Sequence, residues 1–412
     1  MGPEDTSQNL PSLLGQLPSL QVAVIRAGEV VYAQSLGYRY LGPDPGQSLP
    51  VNDQTRFRVA SISKLVVALG AMRLVEQGKL DLEADVGEYL GFALRNPAFP
   101  RVPIRVRHLL SHTSSLRDGS CYSLPSPYTL QAFFHPKGRF FEAGAHFDPT
   151  HPPGRYAGYA NLNTGVLGTL MECVSGQRFD LWMEQEVLRP LGMGGGFNLG
   201  RFTPEQMGNL AVLYRKRTGN PQAPWIAQAD DHRGVVPAGP LVPDPDRPEG
   251  GVVAVDLRTY QPGTNATFFS PQGGLRASAL ELAQVARLFI DRGRLGEAQW
   301  LKPKTLEQML EPQWSFDGHN GETLEGQALS WGLGVWRFTN QPGQDCPVRG
   351  YPRPWFGHLG QAYGLLSGLL FDPVAGNALV YILGGHTPGK GTYSAYTRWE
   401  EQILSTLYGL LN

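Results

Sequence analysis

Ser61 and Lys64 stand three residues apart in the run Ser61-Ile62-Ser63-Lys64. Positions i and i+3 of a helix share a face, so this spacing sets an amine beside a hydroxyl. A free serine hydroxyl is a weak nucleophile and needs an adjacent base. A lysine amine, with an ordinary pKa of about 10.4, accepts no proton near neutrality unless its environment changes it. Desolvation and the positive end of a helix both push it toward the neutral form. The same helix start offers the Ser61 backbone N–H to a developing oxyanion. Ser-x-x-Lys alone arises by chance roughly once in a chain of this size, so its surroundings decide its weight. Strand-like Phe57-Arg58-Val59-Ala60 precedes it, and Leu65, Ala68, Met72 and Val75 follow at helical three- and four-residue steps.

Two further groupings carry chemistry-bearing side chains. In Pro153-Gly154-Arg155-Tyr156-Ala157-Gly158-Tyr159-Ala160-Asn161, a Pro-Gly turn leads into Tyr159 and Asn161 just before a helical stretch. Taken alone, Asn161 reads as a helix N-cap and Tyr159 as a core aromatic. In Gly357-His358-Leu359-Gly360-Gln361, glycines flank a strand edge and let a ligand approach the backbone. His358 there is placed to bind a carboxylate, to tune a nearby proton, or simply to occupy a loop.

These residues need elements to hold them. Residues 21–26 and 30–34 are rich in β-branched and aromatic types around Ala27-Gly28, which predicts a β-hairpin. The helix that starts at Ser61 ends near Gly78, and residues 81–90 read as a turn and a short helix. Residues 106–111 start helically and 162–174 predict a full helix. Ser278-Ala-Leu-Glu281 is a capping box that starts a helix running to about Ile290. Residues 333–338, 363–371 and 378–383 are strand-like, with a turn over 372–377, and 392–411 is an amphipathic helix. Prolines 221, 224, 237, 240, 243, 245 and 248 forbid helix or central strand. They predict a long surface excursion over 221–251 that lines a substrate cleft. The order of elements implies an α+β fold in which N-terminal strands join a C-terminal sheet.

Composition bounds the partners. The chain has 412 residues, 41% hydrophobic and 17% charged, with 35 basic and 36 acidic side chains for a formal charge of −1. That balance argues against disorder and supplies no net field for nucleic acid or an anionic membrane. The tight basic cluster Arg215-Lys216-Arg217 reads as a solvated turn or helix end. Cys121, Cys173 and Cys346 fit neither a zinc pattern nor a disulfide framework. Cys173 reads as a small core residue. No apolar run reaches membrane-spanning length, and the acidic start Met1-Gly2-Pro3-Glu4-Asp5 lacks a signal core. The expectation is a cytoplasmic protein or the mature part of an exported one, of unknown oligomeric state. Asn265-Ala-Thr267 matches a glycosylation sequon but reads as a loop asparagine.

The three groupings, in this order, resemble the serine β-lactamase-like superfamily: class C β-lactamases, penicillin-binding D-alanyl-D-alanine carboxypeptidases, family VIII esterases and related amidases. Ser61-Ile-Ser-Lys64 matches its Ser-x-x-Lys, Tyr159-Ala-Asn161 its Tyr-x-Asn, and His358-Leu-Gly360 its Lys-Thr-Gly or His-x-Gly. Residues 74–82, His108-Leu-Leu-Ser-His-Thr-Ser-Ser-Leu116 and Gly273-Gly-Leu-Arg-Ala-Ser278 are also similar to family stretches. The resemblance implies a β-lactamase/transpeptidase-like α+β fold: one domain, with an α/β lobe of about residues 1–90 plus 270–412 and a mainly helical lobe of about 91–269. It implies that Ser61 forms an acyl-enzyme and that Lys64 and Tyr159 share the proton work, with a Tyr159 phenolate beside Lys64 as general base. Asn161 holds the substrate amide or orients Lys64. Ser61 and Gln361 N–H groups make the oxyanion hole, with His358 and Gly360 lining the substrate. No metal or organic cofactor is implied.

Two departures shape the expected substrate. His358 stands where class C β-lactamases usually have lysine, and Leu359 where a hydroxyl usually meets the substrate carboxylate. Both favour an esterase or amidase acting on a small molecule or short peptide over a β-lactamase or D-alanyl-D-alanine carboxypeptidase. Ser115 replaces a common glycine. A non-catalytic penicillin-binding-like sensor is the alternative of another class. A metallohydrolase is disfavoured because His108 and His112, and His146 and His151 with Asp148, form incomplete ligand sets. An α/β-hydrolase is disfavoured because Gly-x-Ser-x-Gly is absent.

Overall fold

The computed structural model describes residues 9–15, 17–217, 220, 222–247 and 251–411. Residues 3–8, and Pro221 and Pro248 of the excursion, lie outside the described residues.

Ser19–Arg26 (β1) and Glu29–Tyr40 (β2) form the expected hairpin. Its turn residues Ala27 and Gly28 take φ +50° and +85°, the sense of backbone twist that joins two strands through two residues. Leu49–Pro50 (β3) extends the edge. The C-terminal part supplies Trp314–Ser315 (β4), Ser330–Trp331 (β5), Trp336–Phe338 (β6), Trp355–Ala362 (β7), Leu365–Asp372 (β8) and Asn377–Gly384 (β9). Together they make one nine-stranded antiparallel sheet in the order β4-β5-β6-β7-β8-β9-β1-β2-β3. β1 pairs with β9, Val22 opposite Tyr381, so the N-terminal strands do join the C-terminal sheet.

The sheet is buried on both faces, and strand alternation divides the core in two. Ala23 and Ile25, Leu369 and Phe371, Val380 and Ile382 face one cluster. Leu20, Val22 and Val24, Leu366 and Leu370, Leu379 and Leu383 face the other. Helices Ile62–Glu76 (α2) and Ala279–Ile290 (α4) pack on the first face. Asn9–Leu14 (α1) packs on Arg398–Gly409 (α5), which covers the second face. The remaining long helix, Leu162–Ser175 (α3), packs across α2.

Several expectations change. The helix foreseen from residue 392 starts at Arg398, because Thr397 caps it through the Glu400 N–H. β7 was not foreseen as a strand; Gly357, His358 and Gly360 are weak strand formers, yet β6 and β8 pair with it from both sides. α2 is buried on every side from Ile62 to Met72, so its sequence pattern understated its depth. Arg215 ends the strand Leu213–Arg215, which puts the basic cluster at a strand end and not a helix end. The Pro-rich excursion contributes two outlying ribbons, in which Ile226–Ala229 pairs with Leu213–Arg215 and Leu241–Pro243 with Val252–Ala254. Asn265 is buried, donating to the Leu124 and Tyr128 carbonyls at 3.0 and 2.9 Å, so it is an internal strut and not an exposed sequon. All three cysteines are free thiols, and Cys173 is only partly buried. No described helix is long and apolar enough to cross a membrane.

Candidate active site

Four segments converge on Ser61. A short ladder pairs Phe57 with Ala277 and Arg58 with Arg276, and the Val59 N–H donates to the Leu275 carbonyl at 2.9 Å. The chain then turns sharply at Ala60, which sits at φ +50°. A left-handed non-glycine residue costs about 1 kcal/mol or more, so the surroundings must impose it. Ser63 helps: its hydroxyl donates to the Ala60 carbonyl at 2.6 Å and accepts from the Leu275 N–H at 3.1 Å. The turn leaves Ser61 at the N-terminal end of α2, one residue before Ile62.

Lys64, 4% exposed, lies one helical turn on. Its Nζ lies 3.0 Å from Ser61 Oγ, 2.8 Å from Asn161 Oδ1 and 3.0 Å from the Gln272 carbonyl. Burial brings its pKa down to about 7, against the opposing charge of Asp118. In the neutral amine two N–H bonds remain. The Asn161 and Gln272 oxygens can only accept, so they take both. The lone pair is then directed at Ser61 Oγ, the one neighbour with a proton to give.

Asn161 does not cap α3 with its side chain. Its amide nitrogen donates to Asp118 Oδ2 at 2.9 Å, which turns the amide oxygen toward Lys64. Asp118 Oδ1 accepts from the Leu162 N–H at 2.9 Å and so meets the start of α3 itself. Tyr159 donates from its hydroxyl to Ser61 Oγ at 2.9 Å. Burial holds this phenol well above its ordinary pKa, which corrects the expectation of a Tyr159 phenolate. A phenolate needs solvation or a paired cation, and Lys64 is itself driven toward neutrality here. In this arrangement Tyr159 donates to Ser61 Oγ, and Lys64 Nζ is the basic nitrogen within reach of the same oxygen.

On the other side, Gly360 of β7 lies against the start of α2. A Cβ there would come within 2.4 Å of Ser367 Oγ, 2.7 Å of the Val59 carbonyl and 3.1 Å of the Ser61 nitrogen. Glycine therefore lets β7 reach the Ser61 N–H, with Gln361 exposed next along the strand. Ser367 ties the same corner by donating to the Val59 carbonyl at 2.9 Å. His358, two residues earlier on the same strand face, is 1% exposed. Its Nδ1 contacts the Leu359 carbonyl at 2.6 Å, and its ring lies 5.9 and 5.7 Å from those of Trp331 and Trp336. Burial, helped by the Lys64 charge, lowers its pKa to about 3. Held neutral and enclosed, the imidazole is poorly suited to pair with a carboxylate, one of the three readings its sequence position offered. Near Lys64 it discourages charge on the amine no more than a neutral dipole does.

Sequence reasoning missed four members of the site. Asp118 and the Gln272 carbonyl are distant in sequence from Ser61 and sit in irregular segments, so no spacing announces them. His112 packs on Tyr159 with ring centroids 4.5 Å apart, and Trp331 lies 5.8 Å from the same ring. His112 Nδ1 faces the Asn163 amide nitrogen at 3.1 Å and the Ala160 N–H at 3.4 Å. Two donors fix that nitrogen as an acceptor, so His112 is neutral and braces Tyr159. His108 instead accepts from the Arg105 N–H at 3.2 Å and belongs to a helix cap. Among the described residues no group of three or more His, Cys, Asp or Glu is placed to hold a metal.

Comparisons with known proteins bear on the family and the fold. The family model described as Beta-lactamase matches residues 7–402. Penicillin-binding protein 4* of Bacillus subtilis is 28% identical over 217 residues, which is 50% of this chain and 44% of that protein. The chain spans about a third to less than half of the length of the curated relatives it matches. Among solved structures, a D-amino acid amidase from Ochrobactrum anthropi aligns over 99% of both chains with a TM-score of 0.63 and 20% identity. EstCE1, described as a hydrolase with promiscuous acyltransferase activity, covers 98% of this chain and 96% of its own, with a TM-score of 0.62 and 23% identity. At these identities the two structures establish likeness of fold.

Proposed function

From the premise that the chain belongs to the Beta-lactamase family, matched over residues 7–402, we propose that it is a serine hydrolase acting on a small ester or amide through an acyl-enzyme on Ser61. The observation that carries this reading is the Lys64 amine, buried, near neutrality at about pH 7, and held by two acceptors so that its lone pair meets Ser61 Oγ.

Ser61 Oγ attacks the acyl carbon as its proton passes to Lys64 Nζ. The carbonyl oxygen becomes an oxyanion held by the Ser61 and Gln361 N–H groups. On collapse the bond to the leaving group breaks, and that group takes a proton relayed from Lys64 through Tyr159. Water then repeats the sequence: it gives a proton to Lys64, attacks the acyl carbon and releases the acid, and Ser61 recovers its proton. Asn161 and Asp118 act by positioning Lys64, His358 and Gly360 by shaping the strand side of the site. Leu359 in place of a hydroxyl supports an ester or amide substrate over a β-lactam, and the likeness of fold to an amidase and an acyl-transferring hydrolase is compatible with it.

The test is hydrolysis of short-chain p-nitrophenyl esters by the wild type and by Ser61→Ala. Turnover by the wild type, with loss of at least about a thousandfold in the variant, is expected. Equal rates in the two proteins would refute Ser61 as nucleophile. A stoichiometric adduct without turnover would instead favour the sensor reading.

A further inference from the structure

A cavity of about 600 Å³ is walled by the Pro-rich excursion and by Arg58, Tyr122, Gln272 and Tyr363. It connects with the reacting groups through one loop. Lys64 donates to the Gln272 carbonyl at 3.0 Å, and Arg58 Nε donates to the neighbouring Gly273 carbonyl at 3.1 Å. The guanidinium and the amine thus lie on consecutive peptide units.

The cavity's charged lining is Arg58 and Arg276 against Asp230 and Asp231, and Arg233 outside that lining draws off one carboxylate. Arg276 is matched by Asp230 through contacts of 2.6 and 3.0 Å, with His232 Nε2 at 3.7 Å from the same carboxylate. Asp231 is taken by Arg233. Among the described residues Arg58 has no carboxylate within ion-pair distance. Its partners are the Gly273 carbonyl, Ser270 Oγ at 3.3 Å and the Tyr363 ring, 5.1 Å from the guanidinium carbon. Burial and the nearby Arg276 lower its pKa, and the more distant charge of Asp230, already paired with Arg276, offsets this in part. Gln272, 6% exposed, also lines the cavity, and its Oε1 has no hydrogen-bond partner among the described residues. An unpaired amide oxygen calls for a ligand N–H or O–H, such as the N–H of a half-amide, and not for the carboxylate itself.

Direction follows from the proton path. The leaving group has to lie near Tyr159, which donates toward Ser61 from the side where His112 and Trp331 pack on its ring. The acyl chain then runs the opposite way, along β7 past Gln361 toward Tyr363 and the cavity. We propose that this cavity is an acyl-group subsite for a carboxylate, Arg58 binding the far carboxylate of a short dicarboxylic acid half-ester or half-amide. The proposal rests on the hydrolase reading above. Arg58 replaces, at the acyl end, the anion recognition that Leu359 denies at the other end.

The test compares p-nitrophenyl pentanoate with mono-p-nitrophenyl glutarate, near-isosteres differing in the terminal charge, with spontaneous hydrolysis subtracted. The wild type is expected to favour the glutarate ester by about tenfold or more in kcat/KM. That preference should shrink between 0.05 M and about 0.5 M salt. Arg58→Met should reverse it, and Arg58→Lys should keep part of it. Calorimetry of glutarate with Ser61→Ala reads the same subsite without turnover, and binding should vanish in Ser61→Ala carrying Arg58→Met. Ester hydrolysis with no anion preference, or glutarate that fails to bind, overturns the subsite. Glutarate binding with neither ester hydrolysed overturns the hydrolase reading and leaves the subsite standing. The salt series needs no variant, so a misfolded Arg58→Met does not decide the outcome.

Discussion

Lys64 serves as a base only while it is uncharged, and burial is what makes that state accessible near pH 7. The activity of the wild type is therefore expected to rise through about pH 7 and level off above it, as the fraction of neutral amine grows. If the base were a Tyr159 phenolate, the limb would lie at much higher pH, because burial raises that phenol. Tyr159→Phe separates the two: it should cost about a hundredfold in kcat while leaving the limb near pH 7. A profile whose limb vanishes or moves by more than about a unit in Tyr159→Phe would return the base to tyrosine. At this scale the sequence was informative about identity and silent about state. Ser61 and Lys64 stood out by type and spacing, Tyr159 and Asn161 only through the family resemblance, and all four meet in the structure. Which of them holds the proton depends on burial, and on Asp118, His112 and Gln272, whose positions only the folded chain reveals. Ser115 is a smaller case. It stands at φ +64°, a conformation that favours glycine, and its hydroxyl offsets part of that cost by accepting from Asn96 at 3.1 Å.

The elements that carry the site differ in how plainly they were written. The β1–β2 hairpin and the Ser278-Glu281 capping box were legible because each rests on neighbouring residues: a two-residue turn in one case, reciprocal side-chain bonds in the other. β7 was not, because its strand state comes from β6 and β8 and not from its own glycine-rich composition. That strand also has the tightest approach to the nucleophile. Gly360→Ala would push a methyl group against Ser367 Oγ, the Val59 carbonyl and the Ser61 nitrogen. Two of these are backbone atoms, so β7 must retreat from α2. The expected result is a fall of about tenfold or more in kcat/KM from a displaced Gln361 N–H, together with about 1–3 kcal/mol of destabilisation in denaturant melts. Wild-type kinetics in this variant would show that β7 does not need close contact with Ser61.

Across the whole molecule, folding buries bases in neutral form. His358 is brought down to about 3 and His108 to about 4, and His112 falls well below its ordinary value, in each case chiefly by burial. Unfolded histidines take up protons near pH 6.5. Between that value and the depressed native ones the unfolded chain binds more protons, so stability falls as pH falls. Lys64 extends the trend upward, since its native value of about 7 lies below the unfolded value near 10.4. Glu172 opposes it. Burial raises its carboxyl to about 7, so the folded chain holds a proton that the unfolded chain has lost, and stability falls as pH rises from about 4.5 to 7. Burial also raises Glu400 and Asp345 and lowers His386, so four histidines stand against three carboxyls and outweigh them over the shared window. Each titrating group changes stability by at most about 1.4 kcal/mol per pH unit. For a chain of this length, a net loss of a few kcal/mol corresponds to a drop of several degrees in Tm. Melting followed by circular dichroism should therefore give a Tm several degrees lower at pH 5 than at pH 7.5, and a higher Tm at pH 5 would mean that solvent reaches these imidazoles. The acid sensitivity and the proposed base share one cause, burial, which favours the uncharged form of His108 in its helix cap as it does of Lys64, His112 and His358 around Ser61.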